Sequence, residues 1–275
     1  MLISVLGFAL MNLTVKFLGR LPATELVFFR SLVSLVLSLY FLKRRHISPW
    51  GQQKKYLILR GLCGVTALSM FFYTLQKLPL GSAITLQYLS PVFTALFGWI
   101  ILGEKVRSWQ WLLFLLSLMG VALMKGFDTR ISPLLFGLGI GSALFAGLAY
   151  VIIRKVKDTD HPLVVVFYFP LVATPVMGLV SLFHWVRPEG WEWLLLILMG
   201  VLTQIAQINM TKALQAAEVN EIASLKYLGV IFALSFDFLI FGVSYSFWAL
   251  FGIFLVLAGV FLNVFLKNRL RQKQA

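Results

Sequence analysis

The sequence predicts an all-α membrane protein of ten transmembrane helices, arranged as a five-plus-five inverted-topology repeat. Three observations lead there. The 275 residues are 60% hydrophobic and only 12% charged, against about 25% charge in a soluble domain, which leaves too little polar surface to cover a water-soluble globule. Apolar runs near the roughly 20-residue length that crosses a bilayer follow one another with short polar breaks, leaving no stretch for a soluble domain. Finally, residues 61–123 recur at 200–262 under an ungapped shift of 139, with 17 of 63 positions identical.

Taken in order, the spans are expected at 2–19, 23–42, 56–76, 79–102, 109–125, 133–153, 163–183, 191–212, 219–242 and 247–267. The first is short and carries Lys16 near its far end. It lacks the basic leading region of a secretory signal and reads as a retained span. The second opens with Glu25, an acid suited to a helix N-terminus, and carries Arg30 about two turns in. The third presents Thr66, Ser69, Tyr73 and Gln76 on one helical face. It also holds the single cysteine, Cys63, which reads as a small buried hydrophobe. The fourth places Thr85, Gln87 and Tyr88 before Pro91, whose missing N–H predicts a kink. Span six has Gly137 and Gly141 at a spacing that allows close helix packing, and Tyr150 near its end. Pro170 and Pro175 predict kinks in span seven. Span eight repeats a polar face through Gln204, Gln207, Thr211 and Gln215. At the start of span nine Glu218 and Glu221 flank Asn220, and the span carries Lys226, Tyr227 and Asp237. Span ten precedes a basic tail.

The net charge of +14 does not point to nucleic acid. Its basic residues lie between apolar runs, where the positive-inside rule places them, rather than on one water-facing surface. With the N-terminus inside, cytoplasmic segments hold 16 Lys and Arg and outside segments six. Both termini are therefore expected in the cytoplasm. Short loops point to a bacterial inner membrane.

Residue types that chance rarely aligns are shared by the repeat: Gly61/Gly200, Gln76/Gln215, Tyr88/Tyr227, Gly103/Gly242, Trp109/Trp248 and Gly120/Gly259. An odd number of spans per half turns the second half over. The loops agree, because basic Glu104-Lys105-Val106-Arg107 aligns with uncharged Val243-Ser244-Tyr245-Ser246. The expected domains are 1–125 and 126–275, each a five-helix repeat. Such inverted repeats are a mark of secondary transporters, with the site between the halves near mid-membrane.

The chain resembles the drug/metabolite transporter superfamily, and EamA-type members in particular. The residues that carry the resemblance are Glu25-Leu-Val-Phe-Phe-Arg30, the stretch from Leu80-Gly-Ser-Ala-Ile-Thr to Leu-Ser-Pro91, and Gly103-Glu104-Lys105. It covers essentially the whole length. It implies a solute carrier with a central cavity working by alternating access, without naming a solute. Val243 stands where the first half has Glu104, so Glu104 has no symmetric counterpart.

A charge within a span costs about 2.5–3.5 kcal/mol or more and therefore usually faces protein or a water-filled cavity. Arg30 and Lys226 are candidate contacts for an anionic group. Structural roles compete for Arg30: capping carbonyls, pairing with an acid, or reaching the interface by its long stem. The expected substrate-binding set is Lys226, Arg30, Tyr73, Tyr88, Gln87, Tyr227, Gln207, Thr211 and Asn12, against the alternative that such polar groups bond helix to helix. Asp237 and Glu221 are candidate coupling acids, while a helix-dipole role competes for Glu221. Lys226 and Asp237, 11 residues apart, are separated by about 16 Å of helix and cannot pair.

No phosphate-binding loop, zinc motif or nucleophile elbow is present, so no enzyme, cofactor or metal is expected. The expected function is secondary active transport of a small polar or amphiphilic metabolite, coupled to protons, by exchange, or uncoupled. The expected partners are that substrate and the lipid bilayer, with a homodimer compatible with the sequence. The rival reading is a non-transporting membrane scaffold or lipid-interacting protein, which would have a dense interior.

Overall fold

The computed structural model describes residues 2–104, 106, 108–215 and 228–272. Among them the chain is helical and contains no strand. The elements are α1 (Leu2–Phe17), α2 (Ala23–Arg44), α3 (Lys54–Lys77), α4 (Leu80–Gln87), α5 (Ser90–Leu102), α6 (Ser108–Phe127), α7 (Pro133–Lys155), α8 (Pro162–Ser181), α9 (Glu192–Gln215), α10 (Leu228–Leu239) and α11 (Phe247–Gln272). Seven segments are long and apolar enough to cross a membrane, counting α4 and α5 together, and three shorter apolar helices accompany them. Large side chains such as Leu112, Phe238, Phe247 and Phe254 point outward. A protein in water would hide such a surface, whereas lipid solvates it. This is a multi-pass membrane protein.

The fourth span does not run through as one kinked helix. It breaks into α4 and α5 at Tyr88 and Leu89. Pro91 lies in the first turn of α5 and has no N–H to return to the carbonyl four residues earlier. The Tyr88 and Leu89 N–H groups instead close tight turns onto Thr85 and Leu86. By contrast, α8 stays helical through both Pro170 and Pro175.

Close packing uses glycines other than the expected pair. A Cβ on Gly137 would touch nothing, and one on Gly141 would meet only the flexible end of Met70. The tight face of α7 is two residues away, where a Cβ at Gly139 would lie 2.6 Å from Leu86 and one at Gly147 would lie 2.7 Å from Phe93. The closest backbone approach joins α6 to α11. There the Gly120 position faces the Gly252 carbonyl at 2.6 Å, and the Gly259 position faces the Leu113 carbonyl at 2.7 Å. Helices in lipid have little hydrophobic reason to associate, so such small-residue contacts carry their packing. Gly103 and Gly242 adopt left-handed φ of 68° and 60°. In each case the next N–H returns to a carbonyl six residues back, Glu104 to Gly98 and Val243 to Asp237, which ends the helix.

One end of the bundle is tied by polar bonds. Lys16 Nζ donates to the Leu78 carbonyl at 2.5 Å, capping α3. Gln76 Nε2 donates to the Leu21 carbonyl at 2.8 Å. Asp237 is buried and accepts from the Leu80 and Gly81 N–H groups at 3.0 and 2.7 Å, an N-terminal cap for α4 from a distant helix. Tyr245 Oη also donates to Asp237, at 2.5 Å. Burial, then that hydrogen bond, pushes the Tyr245 hydroxyl far above its usual range. Arg130 pairs with Asp128, which accepts from Ser82. Arg20 bonds Glu192.

Candidate functional site

At the opposite end of the bundle the helices part around a cavity of about 220 Å³. It is built from the first three turns of α1, the second to fifth turns of α3, the C-terminal parts of α7 and α9, the α4–α5 break, and side chains of α2 and α8. The break places Gln87, Tyr88, Ser90 and Pro91 at the wall, where a continuous helix would keep its backbone groups bonded to one another. Irregular backbone inside a membrane is tolerated where it lines such a space. Phe8, Phe71, Phe169 and Met210 are part of the apolar wall.

Arg30 and Arg60 dominate the polar wall. Each is 3% exposed and both line the cavity. Arg30 Nε donates to Thr203 Oγ1 of α9 at 2.9 Å. Its Nη1 has no hydrogen-bond partner among the described residues, and neither do Nε and Nη1 of Arg60. Both guanidinium carbons lie over the Phe169 ring, at 5.2 and 5.0 Å from its centroid. Gly64 makes room, because a Cβ there would meet Phe169 at 2.7 Å. The Tyr150 hydroxyl is within electrostatic reach of both arginines. No Asp or Glu lines the cavity among the described residues. Asn12 Oδ1 is a buried acceptor without a partner among the described residues, while Gln87 Oε1 accepts from Ser142 at 2.7 Å.

Of the residues expected from the sequence, Arg30, Asn12, Gln87, Tyr88 and Gln207 converge on this cavity. Lys226, Tyr227 and Glu221 lie outside the described residues. Thr211 is buried one turn beyond Gln207, off the cavity wall. Asp237 sits in the tied end, away from it. Tyr73 is 40% exposed and points away. The reason is the register of α3. Arg60, Gly64, Ala67 and Phe71 form the cavity face, while the polar stripe bonds elsewhere: Thr66 to the Leu62 carbonyl, Ser69 to the Val65 carbonyl and Gln76 to Leu21.

Arg60 is the residue that sequence reasoning missed. It counted there as a cytoplasmic charge, yet it lies within α3 and is buried. Its position one turn inside the expected start of span three was the available signal. At the same end, Arg154 Nη2 donates to Glu104 Oε1, joining α7 to the segment after α5. His161 caps α8 by accepting from the Leu163 N–H at 3.2 Å, and burial followed by Arg45 and Lys212 holds its pKa below the usual histidine value.

Comparison with known proteins places this geometry. A pseudopaline exporter of Pseudomonas aeruginosa is 33% identical over 82% of this chain and 80% of its own. Solute carrier family 35 member G1 of Homo sapiens is 33% identical over 94% of this chain and 75% of its own. A riboflavin transporter of Vibrio cholerae is 29% identical over 80% of this chain and 76% of its own. A solved crystal structure superposes with a TM-score of 0.74 at 19% identity, covering 98% of this chain and 96% of that one, which speaks to the fold alone. The model of the EamA-like transporter family matches residues 1–126 and 134–265. A multi-pass helical bundle whose largely apolar cavity carries two buried arginines, related over most of its length to named transporters, belongs to the EamA-like transporter family.

Proposed function

We infer that this chain is a secondary active transporter that moves a small polar or amphiphilic metabolite by alternating access. The observation that carries the reading is the asymmetry of the bundle. A cavity with buried polar donors lies toward one end, and a network of buried hydrogen bonds ties the other. With both termini in the cytoplasm, as the 16-to-six charge bias favours, the cavity lies toward the inside and the tied end faces out. Reclassifying Arg60 as buried leaves that bias intact.

Two five-helix halves, 1–125 and 126–275, in inverted topology would supply the two states. Aligned positions do the same structural work in support of this. Gly103 and Gly242 both end helices in left-handed conformation. Gly61 and Gly200 both meet a valine of a neighbouring helix, Val172 and Val33, closer than a Cβ allows. Gly120 and Gly259 both sit in the α6–α11 contact. The bacterial inner membrane remains the proposed location. The relatives' names span an exporter and a vitamin transporter, so membership favours carriage without choosing the cargo or its direction.

Two acids are candidates for proton coupling. Proton binding at Asp237 would weaken its hold on Leu80 and Gly81 and release α4 at the tied end. Glu221 is the second candidate. Metabolites inside and outside cells overproducing wild type or Lys226→Ala identify the cargo. Flux of that compound into liposomes then tests the carrier. Uptake that follows a pH gradient in wild type and loses the dependence in Asp237→Asn or Glu221→Gln, with exchange intact, supports coupling. Gradient-driven uptake surviving both substitutions removes it. A compound-free result in cells, with no flux in liposomes, returns the scaffold reading.

A further inference from the structure

We propose that Arg30 and Arg60 form a paired anion subsite, and that its ligand is a small organic dianion of the dicarboxylate class. The inference rests on the carrier reading for its physiological sense and deepens it by naming the cargo class. Two positive charges line one cavity, each side chain 97% hidden. Such charges are costly unless paired. Among the described residues no carboxylate faces them. Because both guanidinium carbons sit over one ring, Phe169, they can be no farther apart than their two centroid distances laid end to end. That is within the reach of one small molecule carrying two carboxylates.

The unused donors point the same way. Arg30 is anchored through Nε to Thr203, which fixes its plane and leaves Nη1 unbonded. Arg60 has Nε and Nη1 unbonded, two donors on different edges of one guanidinium, each free to take a carboxylate oxygen. With the described residues alone, a neutral solute would leave both charges uncompensated, and a monoanion would leave one. Phe8 and Phe71 offer an apolar wall for the carbon linker. The unpartnered Asn12 Oδ1 would accept from a hydroxyl or amino substituent. It is also the feature that separates substituted from bare dicarboxylates.

The test measures binding to the purified full chain in detergent, apart from transport. Succinate, glutarate and adipate are titrated at matched ionic strength, with succinamate and butyrate as controls, and followed by thermal shift and calorimetry. Wild type is expected to bind at least one dicarboxylate and to bind succinamate and butyrate at least tenfold more weakly. Arg60→Met and Arg30→Met are expected to lose roughly 10- to 100-fold for the dicarboxylate, the worth of a charge-assisted hydrogen-bond set, and to discriminate less against butyrate. Arg60→Lys, which keeps the charge and loses the planar fork, should fall between. Equal dicarboxylate affinity in wild type and Arg60→Met overturns the subsite. So does the absence of binding across the series at roughly 10 mM, well above a millimolar Kd. Binding in the expected pattern with no flux in liposomes leaves the subsite standing and removes the carrier. Flux of a neutral or cationic solute that persists in Arg60→Met does the reverse.

Discussion

Replacing Arg60 with Met should make the protein more stable while removing the charge from the cavity. The side chain is 97% hidden and two of its nitrogens have no partner among the described residues. A second guanidinium shares its Phe169 neighbour. Two like charges that the shared ring keeps within about 10 Å repel by at least about 1.7 kcal/mol, roughly 2, at an effective dielectric constant of about 20. Exchanging a buried charge for an apolar side chain of similar length is often worth another 1–4 kcal/mol. Against this stands the contact of Arg60 with Phe169 at 5.0 Å, a cation–π interaction of about 1 kcal/mol, while Met keeps the packing of the aliphatic stem. The balance favours the variant by about 2 kcal/mol at the least, which in a chain of this size raises the apparent unfolding temperature by roughly 4–8 °C or more. Intrinsic fluorescence of the eight tryptophans during heating in detergent reads it. The gain of the Arg30→Met/Arg60→Met double variant should fall short of the summed single gains by about 2 kcal/mol, because the repulsion can be relieved only once. A drop of 4 °C or more in Arg60→Met, without added ligand, would falsify the reasoning. It would mean that the guanidinium is already paired with an acid.

Four other outcomes are expected. Asp237→Asn keeps one acceptor oxygen for two backbone donors, Leu80 and Gly81, and should lose about 2–4 kcal/mol in thermal unfolding; an unchanged melting curve would show that α4 does not depend on this cap. Gly252→Leu forces a side chain against Met124 and the Gly120 carbonyl and should cost about 3 kcal/mol or abolish expression, which membrane yield and size-exclusion profile would report. Gly137→Ala, with open space at its Cβ, should be neutral or stabilising by about 0.5 kcal/mol, and a loss of stability there would contradict the observed face of α7. The cap from His161 is present above about pH 6.5, where the unfolded imidazole is also neutral. It should weaken as pH falls through the depressed folded value, because a protonated Nδ1 cannot accept from Leu163. The exposed ring limits the effect to no more than about 1 kcal/mol. Melting curves from pH 8 to 5 should slope less in His161→Asn, which caps without titrating, and identical slopes would remove this role.

Composition and pattern alone determine that the chain is helical and lives in lipid. With 12% charge no other solvent suits it, and the lengths of the apolar runs set the helices. The same pattern brings Arg30, Asn12, Gln87, Tyr88 and Gln207 forward, since polar groups are rare enough within spans to be noticed singly. What it leaves open is rotation. A helix in lipid has no water-facing side to fix its polar face, so the stripe Thr66, Ser69, Gln76 looked like a wall and instead bonds backbone carbonyls. For the same reason Gly137 and Gly139 could not be told apart until Leu86 was found against only one of them. Arg60 looked like a loop charge because sequence position alone cannot separate an arginine at the interface from one turned inward; only the packing of α2, α3 and α8 around Phe169 decides that. Asp237 looked free to carry a proton, and it is the tertiary approach of α4 that gives its carboxylate two backbone donors, with Tyr245 adding a third. The sequence determined which groups are costly in a membrane, and the tertiary structure decided which of them have partners, because pairing depends on helix rotation and contact across long stretches of chain.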